Sequence, residues 1–391
     1  MVQTQIENFK FTYFKAIGIL LVVLAHSGSG PSLQVSLETW FPIYAFHNPI
    51  PMFIFAAGYF YKETCSALEY AKKRVRRLLV PFYGWHLFYG IILTILTIAG
   101  ITSFGKTITL QNFLIDPWRA LDNLYSFNLA SWFLIVLFSV QIIYMVIRKT
   151  LKIKNELLLA IGLLALGLVG TYISTVGLSV VFREEIARLL SCLPFIQFGY
   201  LYRLKLEKHD KPCLKSLILI LAIQALLIGL FNSKFIFYFL VDRGQFNNAF
   251  LPFITSITGI WFWLQVCSYL SAKLGENRII SWLGNHTLEI MTHHLFGFWL
   301  LNTLFFALGM PNFNVSQYRT DIWYQYFING YTYFLILYAI AGIAVSFAIT
   351  KIASRVKLTL SKRLSSFAIP LINSKRATQP SRAEASCTDA P

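Results

Sequence analysis

Long apolar stretches, broken by short polar and charged segments, recur from one end of the chain to the other. Ten of them approach the roughly 20 residues that a helix needs to cross a bilayer. They lie near residues 11–29, 40–61, 79–101, 130–147, 156–177, 186–203, 214–232, 248–272, 279–308 and 329–352. The ninth is longer than a crossing needs, so a tilt or a break is expected there, and Pro194 predicts a kink in the sixth. No segment of 20–50 residues repeats, and no soluble domain stands out. The pattern predicts an all-α integral membrane protein, a bundle of about ten transmembrane helices over residues 1–355. A basic, disordered tail is expected over 356–391.

Composition agrees with a lipid environment. Of 391 residues, 56% are hydrophobic and 13% charged, against about a quarter charged in soluble domains. The 35 Phe, 20 Tyr and 9 Trp suit lipid-facing surface and interfacial belts. A net charge of +17 would point to nucleic acid in a soluble protein. Here it distributes as cytoplasmic loops of membrane proteins do, which excludes nucleic acid as a partner. With the N-terminus cytoplasmic, all 34 Lys and Arg fall in inner segments except Lys106, Arg119, Arg183, Arg188, Lys234, Arg243 and Arg319. Both termini are therefore expected inside. The first apolar stretch reads as a retained helix rather than a signal peptide, because Lys15 lies well inside it. Five cysteines without paired spacing indicate neither a disulfide framework nor a metal site.

Ionisable residues inside a span are costly and point to function. In YFKAIGILLVVLAHSG, Lys15 and His26 are eleven residues apart. At 100° per residue that returns to within about 20° of one face, some 16 Å further along the axis. A cation at the inner mouth and an imidazole deep in the bundle thus form one stripe. Taken singly, Lys15 fits a snorkelling anchor and His26 a packing hydrogen bonder. Late in the chain, Glu289 and His293 share a helical face, while His294 is turned further round. These groups suit either a site of acid–base chemistry or a buried pair that fixes helix register. Gly58 and Gly284 suit close helix packing.

Four stretches in order resemble the acyltransferase-3 family of bacterial membrane O-acyltransferases, especially its fucose-O-acetylase-like branch. They are Lys15-x10-His26 in KAIGILLVVLAHS, PMFIFAAG ending at Gly58, KKRVRRLLVPF with Arg74, Arg77 and Pro81, and LGNHTLEIMTHH ending at His294. The sequence departs from the family at Ala57, where Ser is usual, and at Met291, where Tyr is usual. Pro49 stands where a His is common, and His47 receives no role. The esterase-like domain that some members append is not expected, because the tail after Leu360 is too short for one.

The resemblance implies acetyl-coenzyme A as donor and a sugar hydroxyl as acceptor, on a cell-surface or lipid-linked glycan. It also implies a place in the bacterial cytoplasmic membrane, among its lipids. The donor's phosphates would meet Lys15, Arg74 and Arg77. His26 would act as general base or as a covalent relay, with Glu289 and His294 as further catalytic candidates. No metal is implied. The competing reading is a secondary transporter or flippase, in which His and Glu carry protons; it lacks the internal repeat common in transporters.

Overall fold

The computed structural model describes residues 2–27, 46–64, 66–105, 108–119, 124–177, 182–231, 246, 248–328 and 334–367, and among them every regular element is helical. The α-helices of six or more described residues are α1 (Val2–His26), α2 (Pro49–Tyr59), α3 (Ala67–Arg74), α4 (Val80–Ile98), α5 (Trp132–Leu151), α6 (Glu156–Thr175), α7 (Arg183–Leu201), α8 (Leu214–Phe231), α9 (Leu251–Leu274), α10 (Arg278–Asn285), α11 (Thr287–Ala307), α12 (Val315–Thr320) and α13 (Phe334–Phe367). A π-helical turn, Val75–Leu79, joins α3 to α4. Pro81 has no N–H to give, and it follows that turn at the start of α4. The widened ladder accommodates the missing donor.

Eight stretches among the described residues are long and apolar enough to cross a membrane. Two of the ten expected spans are not among them. Among the described residues of the second, the α-helix is Pro49–Tyr59, 11 residues, or roughly 16 Å at the α-helical rise; residues 28–45 lie outside the described set. The sixth, α7, carries Arg183, Glu184, Glu185 and Arg188 in its first two turns, which lowers its hydropathy. It is nonetheless buried, with Cys192, Phe195 and Ile196 inaccessible. The ninth run is broken, as its length suggested: α10 ends at Asn285 and α11 begins at Thr287. Helix α13 continues to Phe367, past the expected start of the tail, and residues 368–391 lie outside the described set.

Helix α1 is the axis of the bundle, packed against α2, α9, α10, α11 and α13. Apolar solvent gives helices little reason to associate unless their backbones fit closely. Glycines provide that fit. A methyl on Gly58 of α2 would stand 1.8 Å from the Ile196 carbonyl oxygen of α7, and one on Gly199 of α7 would stand 1.9 Å from the Phe55 carbonyl oxygen of α2. The same holds for Gly284 of α10, 2.3 Å from the Thr12 carbonyl oxygen of α1. Charged groups fasten the end that follows α2. Arg203 donates to the Tyr59 and Tyr61 carbonyls at 2.6 and 2.7 Å. Arg148 is held by Glu156 through both terminal nitrogens and by Glu63 at 3.1 Å.

These contacts predict opposite outcomes for one substitution at two sites. Gly199→Ala should destabilise the protein by about 1–3 kcal/mol or more, because neither backbone can yield without separating the helices. Gly229→Ala, where an added methyl meets nothing within 4 Å, should be neutral or stabilise by about 0.5–1 kcal/mol. Thermal unfolding in detergent measures both; equal shifts would show that the α2–α7 contact is not constraining.

Candidate active site

His26 ends α1 and His294 lies in the second turn of α11. Their rings lie nearly parallel, with centroids 5.0 Å apart and 11° between planes. His26 Nδ1 is 2.8 Å from His294 Nε2. The other nitrogen of His294, Nδ1, is 2.9 Å from the Ile290 carbonyl oxygen, one turn back in the same helix. A carbonyl oxygen only accepts, so His294 Nδ1 carries the proton. Neutral His294 then has its lone pair on Nε2 and must receive a proton from His26 Nδ1. That leaves the lone pair of neutral His26 on Nε2. The chain of bonds leaves an imidazole oriented by a third group, the arrangement that an activated nucleophile or base requires.

Packing holds the pair in place. His294 is fully buried, while His26 is partly exposed. A methyl on Gly342 of α13 would come within 3.0 Å of the His294 Cβ and 2.7 Å of Phe298 Cε1. Glycine there lets α13 press the His294 side of α11 towards α1. Helix α11 runs on for about 20 Å beyond His294 at the usual rise per residue, so the pair lies inside the bundle rather than at its rim.

A family model described as an acyltransferase domain matches residues 8–351. The chain belongs to the acyltransferase-3 family. No curated protein and no solved structure matches it. Membership makes the protein a membrane acyltransferase and places the histidine pair within an acyltransferase domain.

The other predicted residues fall in separate places. Lys15 is half-buried on α1, its amine 5.9 Å from the Phe60 ring centroid. Arg74 closes α3 with its guanidinium 4.7 Å from the Tyr70 ring centroid, and Tyr70 in turn donates to Gln141 Oε1 at 3.2 Å. Arg77 is exposed in the π turn. Glu289 is half-buried in the first turn of α11 and makes no hydrogen bond or ion pair among the described residues. It does not pair with His293. That imidazole turns to α4 instead, 2.7 Å from the Tyr89 hydroxyl, with Trp85 edge-on at 4.3 Å. Pro49 starts α2 behind its cap Asn48, and His47 packs beside Phe262 and Trp263 of α9.

Sequence reasoning passed over several polar groups. His86 of α4 lies in an apolar run, so the criterion that picked His26 would have found it; it sits beside Asn128 and Tyr125. Trp323 and Gln325 had no such signal, because they lie in a polar connection. The structure folds that connection back to His26. The Trp323 ring is 5.5 Å from the His26 ring, and Gln325 Nε2 donates to the His26 carbonyl at 2.7 Å.

If His294 orients the base, His294→Leu should lower acyl transfer at least about tenfold, the factor that 1.4 kcal/mol of transition-state stabilisation represents. Donor affinity should stay near wild type. Gly342→Ala should do the same by displacing His294 without altering its chemistry. Transfer rates and donor binding on folded variants check this; unchanged rates in His294→Leu would remove the pair from the mechanism.

Proposed function

We propose that the protein transfers an acetyl group from acetyl-coenzyme A to a hydroxyl of a cell-surface or lipid-linked glycan. The observation that carries this reading is the oriented His26–His294 pair within an acyltransferase domain. A sugar hydroxyl is a poor nucleophile and must lose its proton as it attacks a thioester. An imidazole suits that task, since its ordinary pKa lies near neutrality.

In this mechanism His26 Nε2 takes the proton of the acceptor hydroxyl while the oxygen bonds to the thioester carbonyl carbon. The tetrahedral adduct collapses by breaking the carbon–sulfur bond. His26 then returns the proton to the departing thiolate, giving the ester and free coenzyme A. His294 accepts the hydrogen bond from His26 Nδ1 throughout, which stabilises the transient imidazolium. Lys15 lies about 16 Å from His26 by helix rise, on the same face of α1. That separation is of the order spanned by the extended arm between the phosphates of coenzyme A and its thioester. Lys15, Arg74 and Arg77 supply cations for those phosphates, Arg with a planar fork suited to them. The orientation that fits this route has the Lys15 end of α1 cytoplasmic, in the bacterial cytoplasmic membrane. Family membership favours transfer over proton-coupled transport.

Purified protein given acetyl-coenzyme A and sugars, with no membrane gradient, should release thiol and form O-acetyl sugar. His26→Gln should cut transfer by about two to four orders of magnitude, the usual contribution of a positioned acid–base group, with donor affinity little changed. Lys15→Ala or Arg77→Ala should weaken acetyl-coenzyme A by about 1.5–3 kcal/mol, the worth of a charged hydrogen bond, and a dephosphorylated analogue much less. Near-normal transfer in His26→Gln excludes it as the base, and equal losses for both donors exclude a phosphate contact. Reporter fusions after residues 70, 150, 210 and 275 should report cytoplasm, and fusions near 115 and 315 the outside. An outside signal at residue 70 contradicts the orientation.

A further inference from the structure

The connection between α12 and α13 holds a feature that the transfer chemistry does not use. After α12, residues 321–327 run without helix beside α11. Asn302 of α11 serves them as a neighbouring strand would. Its Nδ2 donates to the Tyr324 carbonyl at 2.6 Å, and its Oδ1 accepts from the Tyr326 N–H at 3.3 Å. The Tyr338 hydroxyl of α13 accepts from the same N–H at 2.7 Å. The segment is thus fastened to two helices, and it delivers two side chains to His26.

Those side chains are chemically specific. Trp323 presents a half-exposed indole beside the partly exposed His26 ring, with a 43° angle between planes. Gln325 is 6% exposed; its Nε2 is used on the His26 carbonyl, but its Oε1 is buried with no hydrogen-bond partner. An aromatic face beside the His26 ring, with an unfilled acceptor on a side chain bonded to the His26 backbone, matches the amphipathic nature of a pyranose. One side of such a ring is carbon-bound hydrogens, and its edge carries hydroxyl donors. An apolar acceptor would have no use for the orphaned oxygen, whose burial unpaired costs about 1–3 kcal/mol.

We propose that Trp323 is the acceptor-side platform: a pyranose ring stacks on its indole with one hydroxyl at His26 and another directed to Gln325 Oε1. The inference rests on the glycan reading above and adds where the acceptor sits and what selects it. Trp323 is a specificity residue here, and the proton still goes to His26.

The test compares wild type, Trp323→Phe and Trp323→Ala with acetyl-coenzyme A as donor. Acceptors are p-nitrophenyl glucoside and galactoside, with glycerol as a hydroxyl that has no ring. Three quantities are read: thiol release without acceptor, donor affinity, and acceptor KM. Trp323→Ala should raise KM for the glycosides about tenfold, equivalent to about 1.4 kcal/mol, and leave glycerol, thiol release and donor affinity near wild type. Trp323→Phe should recover part of the loss. Unchanged glycoside KM, or an equal rise for glycerol, overturns the stacking role. A parallel fall in acceptor-free thiol release also overturns it, since Trp323 would then act by packing His26. Wild-type protein that consumes donor but acetylates no sugar overturns the glycan reading itself, whatever the variants do.

Discussion

The Ile290 carbonyl can only accept a hydrogen bond, and the rest of the site depends on that. It commits His294 Nδ1 to donating, which commits His294 Nε2 to accepting, which places the His26 proton on Nδ1. In water these tautomers would exchange freely. Inside a bundle, an unmatched polar group costs several times the net gain of a made bond, so the arrangement is held. The backbone of α11 thereby sets the protonation of a residue on α1. The two helices must keep that spacing: Gly342 of α13 seats against His294 and Phe298 beside the pair, and Gly284 of α10 packs on the Thr12 carbonyl further back along α1.

Non-helical chain within lipid-facing protein needs partners for every backbone group. In the 321–327 segment the Tyr324 carbonyl and the Tyr326 N–H find them in Asn302 and Tyr338, and the Tyr326 hydroxyl donates to the Pro311 carbonyl at 2.7 Å. An asparagine amide is the side chain that can copy a strand edge, offering one donor and one acceptor in the same plane. Aromatic stacking of Tyr318 on Trp299 and Phe306 holds the preceding turn to the C-terminal half of α11. A connection that would otherwise lie at the surface is in this way brought to the end of α1.

The helices were legible because apolar length is a strong signal in lipid, and the Lys15–His26 stripe because helical geometry is regular. What a stripe cannot give is the partner across the interface. His293 and His294 differ by 100° around α11, and which one meets α1 depends on how α11 packs between α1, α4 and α13. Spacing put Glu289 and His293 on one face, yet His293 is satisfied by Tyr89 and Glu289 stays apart. A shared face permits a bond without requiring one. Helix α7 was legible as apolar in its second half, but its charged start keeps it from the lipid-crossing class, and its burial comes from α2 and α6. Trp323 was out of reach because loops carry no period, and its position is set by residues that precede and follow it on two other helices.

Carrying Lys15 and His26 on one uninterrupted helix has a consequence for how the protein tolerates change. Helix α1 has no proline or glycine break between Lys15 and His26 other than Gly18, which packs against the Phe53 ring. Deleting one residue between them would move His26 by about 1.5 Å along the axis but about 100° around it. The axial shift is a fraction of one helical turn. The rotation turns the imidazole away from His294 and Trp323 altogether. The face of α1, rather than its length, is therefore what relates Lys15 to the His26–His294 pair, and it ties the spacing of the two residues to whole turns of the helix.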